Sequence, residues 1–321
     1  MPAEWEPHAA TWVAWPTCTE DWAGCLDRAE AEFVELVLAL AGSELTHVLA
    51  PVEVCTRSTP ASLAAHPRVR LHPLTTVEAF LRDTGPTFVI ASDGSPLAID
   101  WTFTAWGGRY EDSRRDDAVA GSVAALAGVP TLRSDLVTEG GALEVDGDGT
   151  LLAVEATLLD PARNPRATRA ELEGLFESLL GISKLIWLDA SIEGDDTGGH
   201  VDTLARFVAP GRVASLPDCR SRLREARDAR GRALEVVDLP TPPPIALRGR
   251  PLPASYANFY IANRSILVPQ FEVPTDRDAL EILGSLFPGR EAIGIPCRTL
   301  LRGLGSVHCM TQQQPACDPA R

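Results

Sequence analysis

The chain has 321 residues, 45% of them hydrophobic, so it can bury a substantial core and does not have the composition of a disordered protein. Its formal net charge of −15 disfavours nucleic acid and anionic membrane as partners, because their phosphates require a positive surface, and it favours cationic partners. No apolar stretch is long enough to span a bilayer, and acids stand where a secretory signal carries basic residues. We therefore expect a soluble, cytoplasmic protein.

Nine short apolar runs rich in β-branched residues predict strands, and four longer patterns between them predict helices. The strand-like runs cover 46–52, 69–74, 87–92, 150–159, 185–190, 206–217, 234–240, 265–271 and 291–297. The helical patterns cover 28–42, 117–128, 166–181 and 277–289, and each ends in glycine, as helices often do. This alternation predicts an α/β fold.

Three further segments have simple structural interpretations. The segment LEVDGDGTLLAVE (143–155) suggests calcium, but Leu151 and Thr157 stand where a calcium loop starting at Asp146 needs glycine and glutamate, so we predict a hairpin. The proline-rich stretch 238–253 is interpreted as a surface loop in preference to a linker. The arginine-rich run 219–234 has interleaved acids and is expected to form a solvated helix face.

The seven cysteines are odd in number and include no C-x-x-C pair, which argues against both a disulfide framework and a zinc knuckle. Cys309 differs from a buried structural thiol because three glutamines follow it closely, in GSVHCMTQQQP (305–315). A thiol nucleophile needs a nearby base or cation. His308 is adjacent, but in an extended segment its side chain would point to the opposite face, so another histidine is required.

The best candidate is His200, which follows a glycine-rich acidic loop and precedes Asp202 by two residues. On an extended backbone these two side chains would share a face. Asp83 before a Gly-Pro turn and Glu139 before two glycines are further loop-end carboxylates, and glycine permits close approach of a substrate. Taken alone, each of these carboxylates is more often part of a turn or a cap than part of a site.

Several segments together resemble one family, the agmatine deiminases and bacterial (Porphyromonas-type) peptidylarginine deiminases of the guanidino-modifying (pentein) superfamily. The resemblance extends in order from Met1 to Pro315. It is carried by the motifs MPAEWEPHAATWVAWP, RDTGPTFVI, AWGG, EGG, RNP, GDDTGGHVDTLARFVAPG, ASYANFYIAN, LVPQF and VHCMTQQQP. It implies a single catalytic domain over 1–321, built as a five-bladed α/β propeller of ββαβ units, and a homodimer as a family expectation.

The resemblance also implies an activity and the residues that perform it. The expected enzyme is a hydrolase acting on the C–N bonds of linear amidines, which would convert agmatine to N-carbamoylputrescine and ammonia in polyamine metabolism. Cys309 would be the nucleophile and His200 the general acid and base, oriented by Glu139. Asp83 and Asp202 would bind the guanidinium. Tryptophans are more often core than site residues, and Trp106 in AWGG is the one that we single out as a candidate wall for an aliphatic substrate chain. No metal or organic cofactor is implied.

Four positions depart from the family pattern and leave the substrate open. They are Thr104, Ala142, Gly198 and Leu304, and the chain is also shorter after AWGG and lacks an acidic loop associated with agmatine. A peptidylarginine or other guanidino deiminase, an amidinotransferase and a guanidino-binding protein without turnover therefore remain alternatives.

Overall fold

The computed structural model describes residues 1–317, so residues 318–321 of the predicted domain lie outside the described residues. The strands are β1 (His8–Ala14), β2 (Thr46–Ala50), β3 (Val69–Pro73), β4 (Thr87–Ile90), β5 (Pro96–Thr102), β6 (Thr131–Val137), β7 (Glu144–Val145), β8 (Thr150–Val154), β9 (Lys184–Leu188), β10 (Ala205–Ala209), β11 (Arg212–Ser215), β12 (Glu235–Asp238), β13 (Ala246–Leu247), β14 (Arg250–Pro251), β15 (Tyr260–Ile261), β16 (Ser265–Gln270), β17 (Glu291–Pro296) and β18 (Thr311–Pro315). The α-helices are α1 (Leu26–Ser43), α2 (Ala61–Ala64), α3 (Leu81–Thr84), α4 (Ala105–Gly108), α5 (Val119–Ala127), α6 (Glu155–Leu158), α7 (Arg169–Leu180), α8 (Arg220–Glu225) and α9 (Thr275–Leu286).

One strand pattern occurs in five sheets. Two antiparallel strands are followed by a helix and by a strand parallel to the second, as in β4–β5–α5–β6, β7–β8–α7–β9, β10–β11–α8–β12 and β15–β16–α9–β17. In the fifth sheet β18 pairs antiparallel with β1, α1 leads to the parallel β2, and β3 extends the edge. The last strand along the chain thus completes the unit that contains the first strand, an arrangement the sequence pattern did not reveal.

The helices pack on these sheets through the apolar stripes that the sequence predicts. The helix α7 begins with a capping box between Thr168 and Glu171 and ends at Gly181 in the left-handed conformation. Its buried Phe176 packs in a core with residues of β8 and β9. All four predicted helical patterns form helices and all nine predicted runs contain a strand. None of the helices within residues 1–317 has the length and hydropathy of a bilayer span.

The three irregular segments have different outcomes. The predicted hairpin at LEVDGDG is confirmed, with Glu144 opposite Leu152. The proline-rich stretch contains a small hairpin of β13 and β14. The arginine-rich run, expected to form a solvated helix face, is helical only in its first part. Helix α8 ends at Glu225, and the chain then turns around Asp228, which accepts hydrogen bonds from the backbone N–H groups of Arg230 and Arg232.

The segments that lead from one ββαβ unit to the next carry the polar side chains singled out in the sequence. Asp83 lies between β3 and β4, Glu139 between β6 and β7, His200 between β9 and β10, and Cys309 between β17 and β18. The remaining connection, between β12 and β15, contributes Asn258, which the sequence analysis did not single out. The repeat therefore brings residues from distant parts of the chain to one place.

Candidate active site

A cavity of about 460 Å³, part of which is open to solvent, connects the nucleophile candidate with the surface. Asp83, Trp106 and Cys309 lie in its wall, so three of the predicted site residues meet in one pocket. His200 and Asp202 lie behind this wall and contact Asp83 and Cys309 directly. Glu139 lies one step further back, against His200. The other lining residues are Asp21, Glu78, Phe80, Tyr110, Asp196, Thr197, Gly303, Leu304 and Gly305.

Cys309 lies in a turn, not in the extended segment that the sequence suggested. The N–H of Met310 donates to the carbonyl of Ser306, and β18 begins only at Thr311. The buried Sγ accepts a hydrogen bond from Asn258 Nδ2 at 3.2 Å and lies 3.7 Å from Asp202 Oδ2. Burial and the carboxylates of Asp202 and Asp83 raise the pKa of the thiol well above its usual value. These surroundings favour the neutral thiol over the thiolate.

The imidazole of His200 is buried between two carboxylates. Its Nδ1 lies 3.6 Å from Asp83 Oδ2 and its Nε2 lies 3.3 Å from Glu139 Oε2. Burial alone would lower the pKa of His200, but these carboxylates raise it to about 9. The predicted neighbourhood with Asp202 is present, although Val201–Thr203 is a 3-10 turn and the extended backbone assumed for it is wrong.

Asp83 is held by two donors that fix its orientation. Its Oδ1 accepts from the backbone N–H of Gly141 at 3.0 Å and its Oδ2 from Trp106 Nε1 at 2.9 Å. Burial raises the pKa of Asp83 to about 6, against the effect of His200. Trp106 has φ of 54°, a left-handed conformation that costs a non-glycine residue energy and that is maintained here at the wall of the cavity.

Only one of the two carboxylate oxygens of Asp202 has a hydrogen-bond partner among residues 1–317. Its Oδ2 lies 2.8 Å from His308 Nδ1, whereas its buried Oδ1 has no hydrogen-bond partner within residues 1–317. The other ring nitrogen of His308 lies 2.9 Å from Glu4 Oε2. Burial would raise the pKa of Asp202, but His308 lowers it below its usual value. A buried acceptor with a vacant lone pair is suited to an N–H donor of a ligand.

The negative charge of Glu139 is compensated by an ion pair with Arg163, a residue that was not predicted to belong to the site. Arg163 Nε donates to both carboxylate oxygens, at 3.0 and 3.1 Å, and both side chains are fully buried. Arg163 belongs to the RNP motif, which was the available signal. Burial would raise the pKa of Glu139, but His200 and Arg163 lower it below its usual value. Glu139 therefore stays ionised against the imidazole.

The paired glycines after Glu139 leave room for this cluster. A Cβ on Gly140 would lie 2.2 Å from the carbonyl oxygen of Arg82. A Cβ on Gly141 would lie 2.6 Å from His200 Nδ1, 2.8 Å from Asp83 Oδ1 and 3.2 Å from Asp202 Oδ2. Both positions thus exclude side chains, and Gly141 marks the point where the imidazole and the two aspartates converge.

Four positions depart from the family pattern, and none of them displaces the side chains of the site described above. Leu304 lines the cavity with φ of 72°. Thr104 accepts a hydrogen bond from the N–H of Gly107, and Ala142 is buried beside Gly141. Gly198 has φ of 95°, so most other residues there would be strained.

The mouth of the cavity is acidic. Asp21, Glu78 and Asp196 line it together with the hydroxyl-bearing Tyr110, which donates to Asp196. Burial raises the pKa of Glu78 to about 7, and the neighbouring Asp21 and Asp196 add to this effect. A ligand with positive charge at this end would relieve the repulsion between these carboxyl groups.

Comparison with known proteins identifies the family of this chain. Residues 1–315 match the family described as Porphyromonas-type peptidyl-arginine deiminase. The chain is 39% identical to an agmatine deiminase of Stutzerimonas stutzeri over 98% of this chain and 95% of that protein, and 38% identical to one of Ectopseudomonas mendocina over the same shares.

Solved structures show the same relationship. The agmatine deiminase of Enterococcus faecalis matches with a TM-score of 0.91 at 31% identity, covering 98% of this chain and 95% of that one. A dimethylarginine dimethylaminohydrolase shares the fold alone, with a TM-score of 0.58 at 12% identity over 95% of this chain and 99% of that one. The α/β fold therefore has pentein-type neighbours, and the chain belongs to the Porphyromonas-type peptidyl-arginine deiminase family.

Proposed function

We propose that this chain is an agmatine deiminase that hydrolyses agmatine to N-carbamoylputrescine and ammonia. The observation that carries the proposal is that a thiol, an imidazole and two carboxylates with different hydrogen-bond partners converge at one cavity. Asp83 and Cys309 line that cavity, and Asp202 lies 3.7 Å from the sulfur. Thiol, imidazole and carboxylates in this arrangement suit the covalent hydrolysis of a planar cation.

The two aspartates would bind the guanidinium from two sides. A guanidinium stays charged and presents N–H donors in a flat fork, which suits paired carboxylates. The vacant Oδ1 of Asp202 and the fixed carboxylate of Asp83 are the acceptors we assign to it. Holding the cation in this way places its carbon against the Cys309 sulfur, so the attack becomes unimolecular.

The reaction we infer has two stages. The Cys309 thiol loses its proton to solvent as the guanidinium binds, and the resulting thiolate attacks the guanidinium carbon. The new C–S bond replaces a C–N bond as His200 gives a proton to the departing ammonia. A covalent thiouronium remains on the sulfur. Water deprotonated by His200 then attacks this carbon, and the ureido product leaves as the C–S bond breaks and the thiol is restored. Glu139 keeps the imidazole oriented and favours its protonated form.

The acidic mouth favours agmatine over free arginine. Agmatine carries an ammonium at the end opposite to its guanidinium, whereas arginine carries a carboxylate there as well. Asp21, Glu78 and Asp196 would attract the first group and repel the second. Trp106, Phe80 and Leu304 offer an apolar wall for the methylene chain.

The wider organisation follows from the same family assignment. We propose that the five ββαβ sheets surround the site as the blades of a five-bladed propeller, with the chain acting as one catalytic domain in the cytoplasm. The small cationic guanidino compound would be its partner, with neither nucleic acid nor membrane involved. A homodimer is the assembly we expect.

Incubating the purified protein separately with agmatine, arginine and an arginyl peptide, and measuring ammonia and ureido product, tests the proposal. Agmatine should give the highest kcat/KM, without any added amine. Product that forms only when an amine acceptor is present would indicate an amidinotransferase. A preference for the arginyl peptide or for arginine would overturn the substrate assignment, and binding without turnover would overturn the enzymatic one.

A further inference from the structure

The side chain of Asn258 contacts the sulfur of Cys309 from the connection between β12 and β15. Asn258 is 2% exposed, and its Nδ2 lies 3.2 Å from Sγ. Each of the other four connections between units contributes one of the groups assigned above to the reaction. Asn258 has no role in that assignment, although it is the polar group nearest to the nucleophile among the contacts described.

The orientation of the amide is fixed by its other half. Asn258 Oδ1 accepts from Ser306 Oγ at 2.8 Å and from the backbone N–H groups of His308 and Cys309 at 3.0 and 3.3 Å. Two of these donors are backbone amides, which can only donate, so the atom that faces them must be the oxygen. The NH2 group is therefore the one directed at the sulfur.

A donor at this position acts on one ionisation state of the thiol more than on the other. The carboxylates of Asp202 and Asp83 oppose a negative charge on the sulfur, and the Asn258 amide is the side-chain donor that offsets this opposition. A hydrogen bond to a thiolate is stronger than one to a thiol, since charge on the acceptor strengthens the bond. The contact thus stabilises the reactive form selectively.

We propose that Asn258 is a catalytic residue whose side-chain N–H stabilises the Cys309 thiolate while its Oδ1 holds the turn that carries the thiol. The proposal rests on the proposed function only in taking Cys309 as the nucleophile. Its central claim concerns the ionisation of a thiol and can be measured without any substrate.

Two substitutions distinguish the role of the Asn258 NH2 group from that of its Oδ1. Asn258→Asp keeps an acceptor toward the turn and replaces the donor at the sulfur by a carboxyl oxygen. Ser306→Ala removes one of the contacts to Oδ1 and leaves the donor in place. Asn258→Ala, which removes the donor without adding charge, is the second variant should the aspartate prevent folding, and thermal unfolding monitors folding in every case.

The measurement is the pH dependence of iodoacetamide alkylation at Cys309, read by peptide mass spectrometry so that the other six cysteines do not interfere. Loss of the donor should raise the apparent pKa of alkylation by about one to two units and lower kcat on agmatine by roughly 10- to 100-fold. Ser306→Ala should leave this apparent pKa within about 0.3 units of the wild type.

The proposal would be overturned if the apparent pKa of alkylation were unchanged in the folded Asn258 variants, or if it shifted only as much as in Ser306→Ala. Asn258 would then have a structural role alone. Failure of the proposed function is a distinct result. A wild-type protein that lacks deiminase activity but shows the expected alkylation shift on loss of the donor would support the thiolate contact and refute only the activity.

Discussion

Replacing Gly141 by alanine tests whether the cluster of imidazole and aspartates is the catalytic centre. The backbone at Gly141 is open to an alanine, since its φ is not in the left-handed region, so the perturbation is purely steric. The new methyl would lie 2.6 Å from His200 Nδ1 and 2.8 Å from Asp83 Oδ1. Ordinary van der Waals contact begins near 3.4 Å, so the imidazole must retreat by about 0.8 Å and the carboxylate by about 0.6 Å.

A displacement of this size is expected to cost about 10²-fold in kcat/KM, because positioning of the guanidinium against the thiol depends on both groups. Overpacking should also destabilise the fold by roughly 1–3 kcal/mol. The matched control is Gly174→Ala in α7, where a Cβ meets no atom within 4 Å; we expect about 0.5–1 kcal/mol of stabilisation and unchanged activity. Ammonia release and thermal unfolding measure both variants. A Gly141→Ala protein with kcat/KM within twofold of the wild type would refute the assignment of the site.

Further predictions address single groups. Cys309→Ala should abolish turnover while leaving the unfolding temperature within a few degrees, and residual ammonia release would point to another thiol. Asp83→Asn should raise KM for agmatine at least about tenfold with little effect on thermal stability, since it removes a charge that the cation compensates; an unchanged KM and kcat would count against the assignment. Because Asp83 must be ionised to bind the guanidinium and its pKa is raised to about 6, kcat/KM should fall as pH drops below about 6. It should also fall above about pH 9, where His200 loses the proton it delivers, and a profile flat from pH 5 to 10 would contradict both roles.

Secondary structure was largely predictable because it depends on local patterns. Apolar alternation marked the nine runs, and caps such as Thr168 with Glu171 and Gly181 marked where α7 begins and ends. Strand β18 escaped prediction because its glutamines hide the apolar alternation, and its pairing is decided by a distant strand, β1. The seven-residue strands β1, β5 and β6 also escaped prediction, although none of them is short.

The candidate site was predictable only where its residues stand out in the sequence. Cys309 was found by its polar neighbours, and His200 by its glycine-rich loop. Glu4 and Asn258 lie in the family motifs MPAEWEPHAATWVAWP and ASYANFYIAN, but their local sequence assigns them no role. Their importance comes from contacts made across more than fifty residues, with His308 for Glu4 and with Cys309 for Asn258. His308 was set aside because an extended backbone was assumed, whereas the turn directs its ring toward Asp202.

The charges buried around the site explain how a thiol with a raised pKa can still react. Glu139 is paired with Arg163, and Asp202 with His308, whose two ring nitrogens both lie against carboxylates. Behind them, buried arginines balance the remaining glutamates, in the pairs Arg82 with Glu4 and Arg206 with Glu144. Asp83 is left with His200 as its only cation within residues 1–317.

We therefore expect binding of the substrate to promote formation of the nucleophile. A guanidinium that enters between Asp83 and Asp202 brings a positive charge next to the Cys309 sulfur, where these two carboxylates otherwise raise the pKa of the thiol. A nearby cation favours the thiolate over the thiol. It follows that a neutral isostere of the guanidinium should bind weakly and should leave the Cys309 thiol protonated and slow to alkylate.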